Sequence, residues 1–376
     1  MHLISLYRNA FLARNIVNLI NSLIDELKHW NEFPIKIMNF CGTHEHTITY
    51  YGIRSLIPDS IDLIPGPGCP VCIVPASYID AAIELALDGI EVYTYGDMYR
   101  VPGSQISLAK ARAEGASVKV VYSFLDAIKL AKERKRESIF FAVGFETTQP
   151  TIAIRILKNT IPPNLKLLIA LRLTPPIMRY ILEIRKVALN GIIAPGHVST
   201  IIGAKAWSFL PTEYNIPTVV AGFEPLDVLI SIAEILRQIR QKAPSLYNEY
   251  KRVVTWEGNL TAQRAMKQTF EIVDGEWRGI GLVPLSSLRL KEKFRNLDAI
   301  EEYGLKLKRG HDIRTGCKCA DVLLGNIKPT NCPMFLKICT PSHPLGPCMV
   351  SSEGACHIWA KYGSGKELQK LINYKK

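Results

Sequence analysis

Cys332, Cys339, Cys348 and Cys356 are separated by six, eight and seven residues. Four thiolates at such spacing can converge on one centre, and iron–sulfur clusters take four soft ligands, usually cysteines. A Pro or Gly lies within two residues of each of them. Backbone amides can therefore come close to the sulfurs and tune a redox potential. Zinc also accepts four cysteines. Its structural sites use tightly paired ligands, whereas these spacings are longer and more even, so the pattern favours a cluster. Cys317 and Cys319 form a Cys-x-Cys just upstream. Spacing leaves open whether they replace one of the four ligands or form a redox-active pair beside the cluster.

Three more cysteines lie near the N-terminus. Cys41 ends a predicted strand, in Asn39-Phe40-Cys41-Gly42-Thr43-His44-Glu45-His46. The carboxyl ends of strands in open α/β sheets are where ligands bind. A helix starting just after Cys41 would lower its thiol pKa and make it a thiolate ligand or nucleophile. His44 and His46 are close enough in sequence to serve as ligand, base or hydrogen-bond donor. A lone cysteine is often just a small buried residue, but the Gly-Thr-His that follows favours function. Cys69 and Cys72 form a Cys-x-x-Cys in Pro65-Gly66-Pro67-Gly68-Cys69-Pro70-Val71-Cys72. After a strand and at a helix start, such a pair reads as a thiol–disulfide redox motif. Half a zinc site is the alternative, but no second pair nearby completes it.

Two further loops follow predicted strands. Gly144-Phe145-Glu146-Thr147-Thr148 offers a carboxylate and two hydroxyls. Glu146 suits a helix cap as well as it suits a site. Pro195-Gly196-His197-Val198-Ser199 exposes an imidazole on a Gly-flanked turn, which favours function for His197. Neither a Walker-A pattern nor Gly-x-Gly-x-x-Gly occurs, so nucleotide binding has no sequence support.

The elements that must position these residues alternate regularly. Strands are predicted at 35–40, 62–64, 90–95 and 118–122, and again at 138–143, 167–171, 191–194 and 218–221, with helices between most of them. Such alternation implies α/β units with mainly parallel sheets and helices on both faces. We read two doubly wound units with a soft boundary near residues 125–137: residues 1–127 with Cys41, Cys69 and Cys72, then residues 128–250. Regular alternation is lost beyond about residue 250, leaving residues 251–376 as a small, irregular, iron–sulfur domain whose tail, Lys366–Tyr374, reads as a helix. The chain has 376 residues, 48% hydrophobic and 21% charged, enough for a core without disulfide staples. Its charge of +12 invites a zinc-stabilised nucleic-acid binder. However, the charge is spread out. The densest run, Lys132–Arg136, ends a predicted helix, where cations suit the negative dipole end. No nucleic-acid partner is expected. No segment has the length and apolarity of a membrane span, and the N-terminus reads as an amphipathic helix rather than a signal peptide. The expected location is the cytoplasm, where many cysteines point to metal or redox chemistry.

These motifs, in this order, resemble the HypD family of nickel–iron hydrogenase maturation factors over nearly the whole chain. They are Cys41-Gly42-Thr43-His44-Glu45-His46, Pro65 to Cys72, Gly144 to Thr148, Pro195 to Ser199, and Gly346-Pro347-Cys348-Met349-Val350-Ser351-Ser352-Glu353-Gly354-Ala355-Cys356. The resemblance implies a redox-active scaffold. With the small partner HypC it holds an iron that acquires two cyanides and one carbon monoxide for the hydrogenase. HypE supplies the cyanide, and HypC leads on to the hydrogenase large subunit. By resemblance, Cys41 is an iron ligand shared with a cysteine of HypC. Cys69 and Cys72 lie between that iron and a 4Fe-4S cluster, here on Cys332, Cys339, Cys348 and Cys356. Electrons would pass from cluster to disulfide to iron. A thiol–disulfide reductase acting on a protein substrate is the competing reading, since it uses the same Cys69–Cys72 pair.

Overall fold

The computed structural model describes residues 6–27, 33–185, 187–307, 312, 316–363 and 368. The tail helix expected at Lys366–Tyr374 lies outside the described residues. Helix α1 (Ala10–Leu27) buries Ile20, Leu23, Ile24 and Leu27 on one face, as an amphipathic helix does. Two parallel sheets follow. The first contains β1 (Ile35–Asn39) and β2 (Ile61–Pro65). The second contains β3 (Glu91–Thr94), β4 (Val118–Val120), β5 (Ser138–Gly144) and β6 (Leu165–Leu171). The chain then returns to the first sheet with β7 (Gly191–Pro195), β8 (Thr218–Ala221) and β9 (Leu246–Asn248). Every residue of β5 and β7 is buried, as a strand covered on both faces must be.

The strand orders are β2-β1-β7-β8-β9 and β4-β3-β5-β6. The boundary expected near residue 127 therefore falls inside the second sheet, because β3 pairs with β5 across it. The first sheet is instead discontinuous in sequence, since β1 pairs with β7, in the register Ile37↔Gly191. Alternation of strands and helices cannot show this, because it is the same whichever neighbour a strand selects. Beyond residue 250 the structure adds a helix, Leu260–Thr269, and an antiparallel hairpin of β10 (Phe270–Trp277) and β11 (Gly281–Leu290). The last described helix, α2 (Ala355–Tyr362), buries Cys356 and Trp359. One continuous buried cluster joins Met38 and Ile64 of the first sheet, Val92 and Ile139 of the second, and Cys348, Met349 and Trp359 of the C-terminal region.

Both sheets have a topological switch point, between β1 and β7 in the first and between β3 and β5 in the second. Crevices at the carboxyl ends of such strand pairs are the usual binding places of doubly wound sheets. Cys41 follows β1 and His197 follows β7. Glu146 follows β5.

Candidate functional site

Cys41 is the N-cap of a nine-residue helix, Gly42–Tyr50. The backbone N–H groups of Thr43 and His44 favour its thiolate form, as expected of a helix start, but they do not prevail. Burial and the nearby Glu353 carboxylate push the thiol up to about 11 in the metal-free protein. The expected lowering of the Cys41 pKa is therefore corrected: desolvation outweighs the helix terminus. Such a thiol becomes a thiolate when a metal or another cation displaces its proton.

The Cys69–Cys72 loop comes directly to Cys41. A Cβ on Gly68 would lie 2.6 Å from the Cys41 N and Cα, so only glycine permits this approach. Cys41 and Cys69 line one narrow cleft together with Asn39, Glu45, Leu323 and Glu353. Cys69 and Cys72 are joined as a disulfide, with Cα atoms 5.4 Å apart. They sit in a turn, and the helix expected to begin there starts at Ala76. Cys72 reaches the Pro347 carbonyl at 3.8 Å, next to Cys348.

Behind the disulfide the remaining thiols gather. Cys317, Cys319, Cys348 and Cys356 lie side by side in a row, with Cys332 close to Cys339 and Cys356. The Leu345 N–H donates to Cys339 Sγ at 3.4 Å. Cys317 and Cys319, whose role spacing left open, thus lie within the same group as the four evenly spaced cysteines. Among the described residues, no three Cys, His, Asp or Glu side chains already close around a single ion. The donor set nonetheless fits an iron–sulfur cluster: it is all thiol, largely buried, and Cys339 has an amide donor of the kind that tunes such centres.

His44 is fully buried, and its Nε2 donates to the carbonyls of Gly222 at 2.9 Å and Ala221 at 3.3 Å. Its Nδ1 has no partner among the described residues. The ring stacks on Phe223, which also stacks on His197 at 3.8 Å, so one phenyl ring joins His44 and His197. Burial holds His44 at about 4, below its ordinary 6.5. The unfolded chain then binds the extra proton first as pH falls. His44 should therefore contribute a loss of stability on acidification between about pH 6.5 and about pH 4, opposite in sign to the contribution of the raised Glu146 carboxyl. The difference between wild type and His44→Gln in denaturant unfolding across that window should show it.

Glu146 is placed otherwise. Burial raises its carboxyl to about 7. Both oxygens are taken by Thr174, through its N–H and its hydroxyl, each at 2.7 Å. In this arrangement it anchors the start of the helix Thr174–Glu183.

Two carboxylates escaped the residue-by-residue reading. Glu45 is buried beside Cys41 and accepts from Arg54, Asn39 and Trp359. Glu353 opens to solvent at the cleft, while crowding by the protein and the charge of Asp97 raise its carboxyl. Both lay inside quoted motifs, but only folding shows that residues 45 and 353 meet at one thiol.

A thiol beside a disulfide, on a doubly wound α/β scaffold, is what this fold and site define. The profile of HypD, described as the hydrogenase formation hypA family, matches residues 13–363. A Methanocaldococcus jannaschii protein named for hydrogenase expression and formation is 44% identical over 93% of this chain and 97% of its own. The hydrogenase maturation factor HypD2 of Bradyrhizobium diazoefficiens is 41% identical over 97% of both chains. HypD of Cupriavidus necator is 40% identical over 98% of this chain and 99% of its own. The chain belongs to the HypD family, and its role is in hydrogenase maturation. Among the described residues no helix is long and apolar enough to cross a membrane.

Proposed function

We propose that this protein is the scaffold on which the iron of a nickel–iron hydrogenase centre acquires two cyanides and one carbon monoxide. The observation that carries this reading is the shared cleft of Cys41 and Cys69, with the disulfide turned from there toward the C-terminal thiols. Cys41 holds the iron cargo, a soft ligand suited to low-spin iron with diatomic ligands. A cysteine of a HypC-like partner completes the grip, a HypE-like partner supplies cyanide, and the loaded iron passes by way of HypC to the hydrogenase large subunit. His44 presents its unpartnered Nδ1 as an acceptor, and His197 steadies it through Phe223. Cys69 and Cys72 exchange between disulfide and dithiol, next to the iron. Cys332, Cys339, Cys348 and Cys356 would hold a 4Fe-4S cluster, with Cys317 and Cys319 within contact of that set. When bound, such a cluster supplies single electrons.

The reductase reading is disfavoured by access. Cys69 and Cys72 are only 2% and 1% exposed, so a protein substrate cannot reach the disulfide directly. The test is an anaerobic preparation of the complex with the HypC-like partner, with iron and sulfide counted and an infrared spectrum recorded. The expected result is bands of iron-bound cyanide and carbon monoxide with about five irons per complex, four in the cluster and one beyond it. A cluster without such bands, together with dithiol turnover in the absence of any partner, would reverse the order of the two readings.

A further inference from the structure

The segment Ser351–Glu353 lies between the two switch points, and a side chain from the far sheet holds it there. Asp97 stands in the one-turn helix Gly96–Tyr99 after β3, at the switch point of the second sheet. Its Oδ2 accepts from the Ser351 hydroxyl at 2.9 Å, the Ser352 N–H at 3.1 Å and the Ser352 hydroxyl at 3.0 Å. Ser351 is fully buried, and its oxygen also accepts the Glu353 N–H at 3.2 Å. Glu353 then presses on the Cys41 helix. A Cβ on Gly42 would lie 2.5 Å from the Glu353 carbonyl oxygen and 2.7 Å from its Cβ. Cys41 and Glu353 line the same cleft. An unbroken set of contacts therefore runs from Asp97 through Ser351 and Glu353 to the residue after Cys41.

We propose that Asp97 is a positioning residue for the Cys41 site: from the opposite sheet it clamps Ser351–Glu353 over the thiol and so sets both the access to Cys41 and the place of the carboxylate beside it. Bonds to a carboxylate are stronger than neutral ones. Removing this acceptor strands a buried hydroxyl and frees the segment to lift. Asn keeps one acceptor oxygen and should keep most of the clamp. The proposal takes its meaning from Cys41 being the working thiol of the proposed function, but the clamp can be tested without any iron cargo.

The experiment measures the rate at which iodoacetamide alkylates Cys41 in the full-length protein with its cluster in place, followed by peptide mass spectrometry. Asp97→Ala should raise the rate at least about tenfold, the ratio that corresponds to ~1.4 kcal/mol of lost restraint. Cluster absorbance should not change. Asp97→Asn should stay near the wild-type rate, because one acceptor oxygen remains for Ser351 and Ser352. If Asp97→Ala does not fold, Ser352→Ala removes one of the bonds and should give a smaller rise in the same direction. An unchanged Cys41 rate in the folded variants would overturn the clamp. Faster alkylation in a protein whose preparations never carry the iron–cyanide bands would uphold the clamp and count against the scaffold reading.

Discussion

Cys41→Ser should leave the C-terminal cluster intact and abolish the infrared bands of iron-bound cyanide and carbon monoxide, with hydrogenase maturation lost altogether. Serine is nearly isosteric, so the helix start and the close approach of Gly68 survive the change. What changes is the ligand. A hydroxyl is hard and stays protonated, whereas low-spin iron with diatomic ligands needs a soft thiolate. The six C-terminal cysteines are untouched by the substitution. Iron should therefore fall by about one per complex while sulfide stays constant, given four irons in the cluster. Retention of the bands at wild-type intensity would remove Cys41 from the iron site. The same preparation reports on the protein alone, because loss of sulfide as well as iron would mean that the variant had damaged the fold.

Arg54→Met should destabilise the protein by about 3–5 kcal/mol, the usual cost of leaving one member of a buried ion pair without its partner. Glu45 is 2% exposed, and Arg54 Nη2 lies 2.8 and 2.9 Å from its two oxygens. Asn39 donates to it at 2.9 Å and Trp359 at 2.5 Å. This group ties β1, the Cys41 helix and the C-terminal helix α2 to one carboxylate. Burial by itself would raise the Glu45 carboxyl, but Arg54 and the other donors hold it below its usual range. A depressed carboxyl stabilises the fold above its unfolded pKa, and that contribution is lost as pH falls through the folded value. Urea unfolding at neutral pH should show the full loss in Arg54→Met. The double variant with Glu45→Gln should recover part of it, since no charge is then left buried. A loss below about 1 kcal/mol would mean that water or another cation replaces Arg54, as at an exposed ion pair.

The strands carrying Cys41, Glu146 and His197 were legible because apolar runs followed by Gly-rich turns are a local signal. So were the grouping of the C-terminal cysteines and the pairing of Cys69 with Cys72, which three residues of separation nearly enforce. Of the hairpin β10–β11 only Val283–Leu288 reads as a strand from its residues, because Glu271, Asp274 and Glu276 interrupt the first strand and hide its alternation.

The amino-acid sequence by itself determined which residues could do chemistry, because thiol, imidazole and carboxylate are fixed by residue type and their spacing by the covalent chain. Only the tertiary structure decided which of them meet. One neighbour of β1 is β7, some 150 residues away, and local periodicity carries no information about such a partner. That pairing brings His197 and Phe223 to His44. The approach of the C-terminal region brings Glu353 to Cys41 and Trp359 to Glu45. Environment was likewise decided late. The helix start favours a Cys41 thiolate, but desolvation depends on everything that packs around it, and here desolvation is the larger effect.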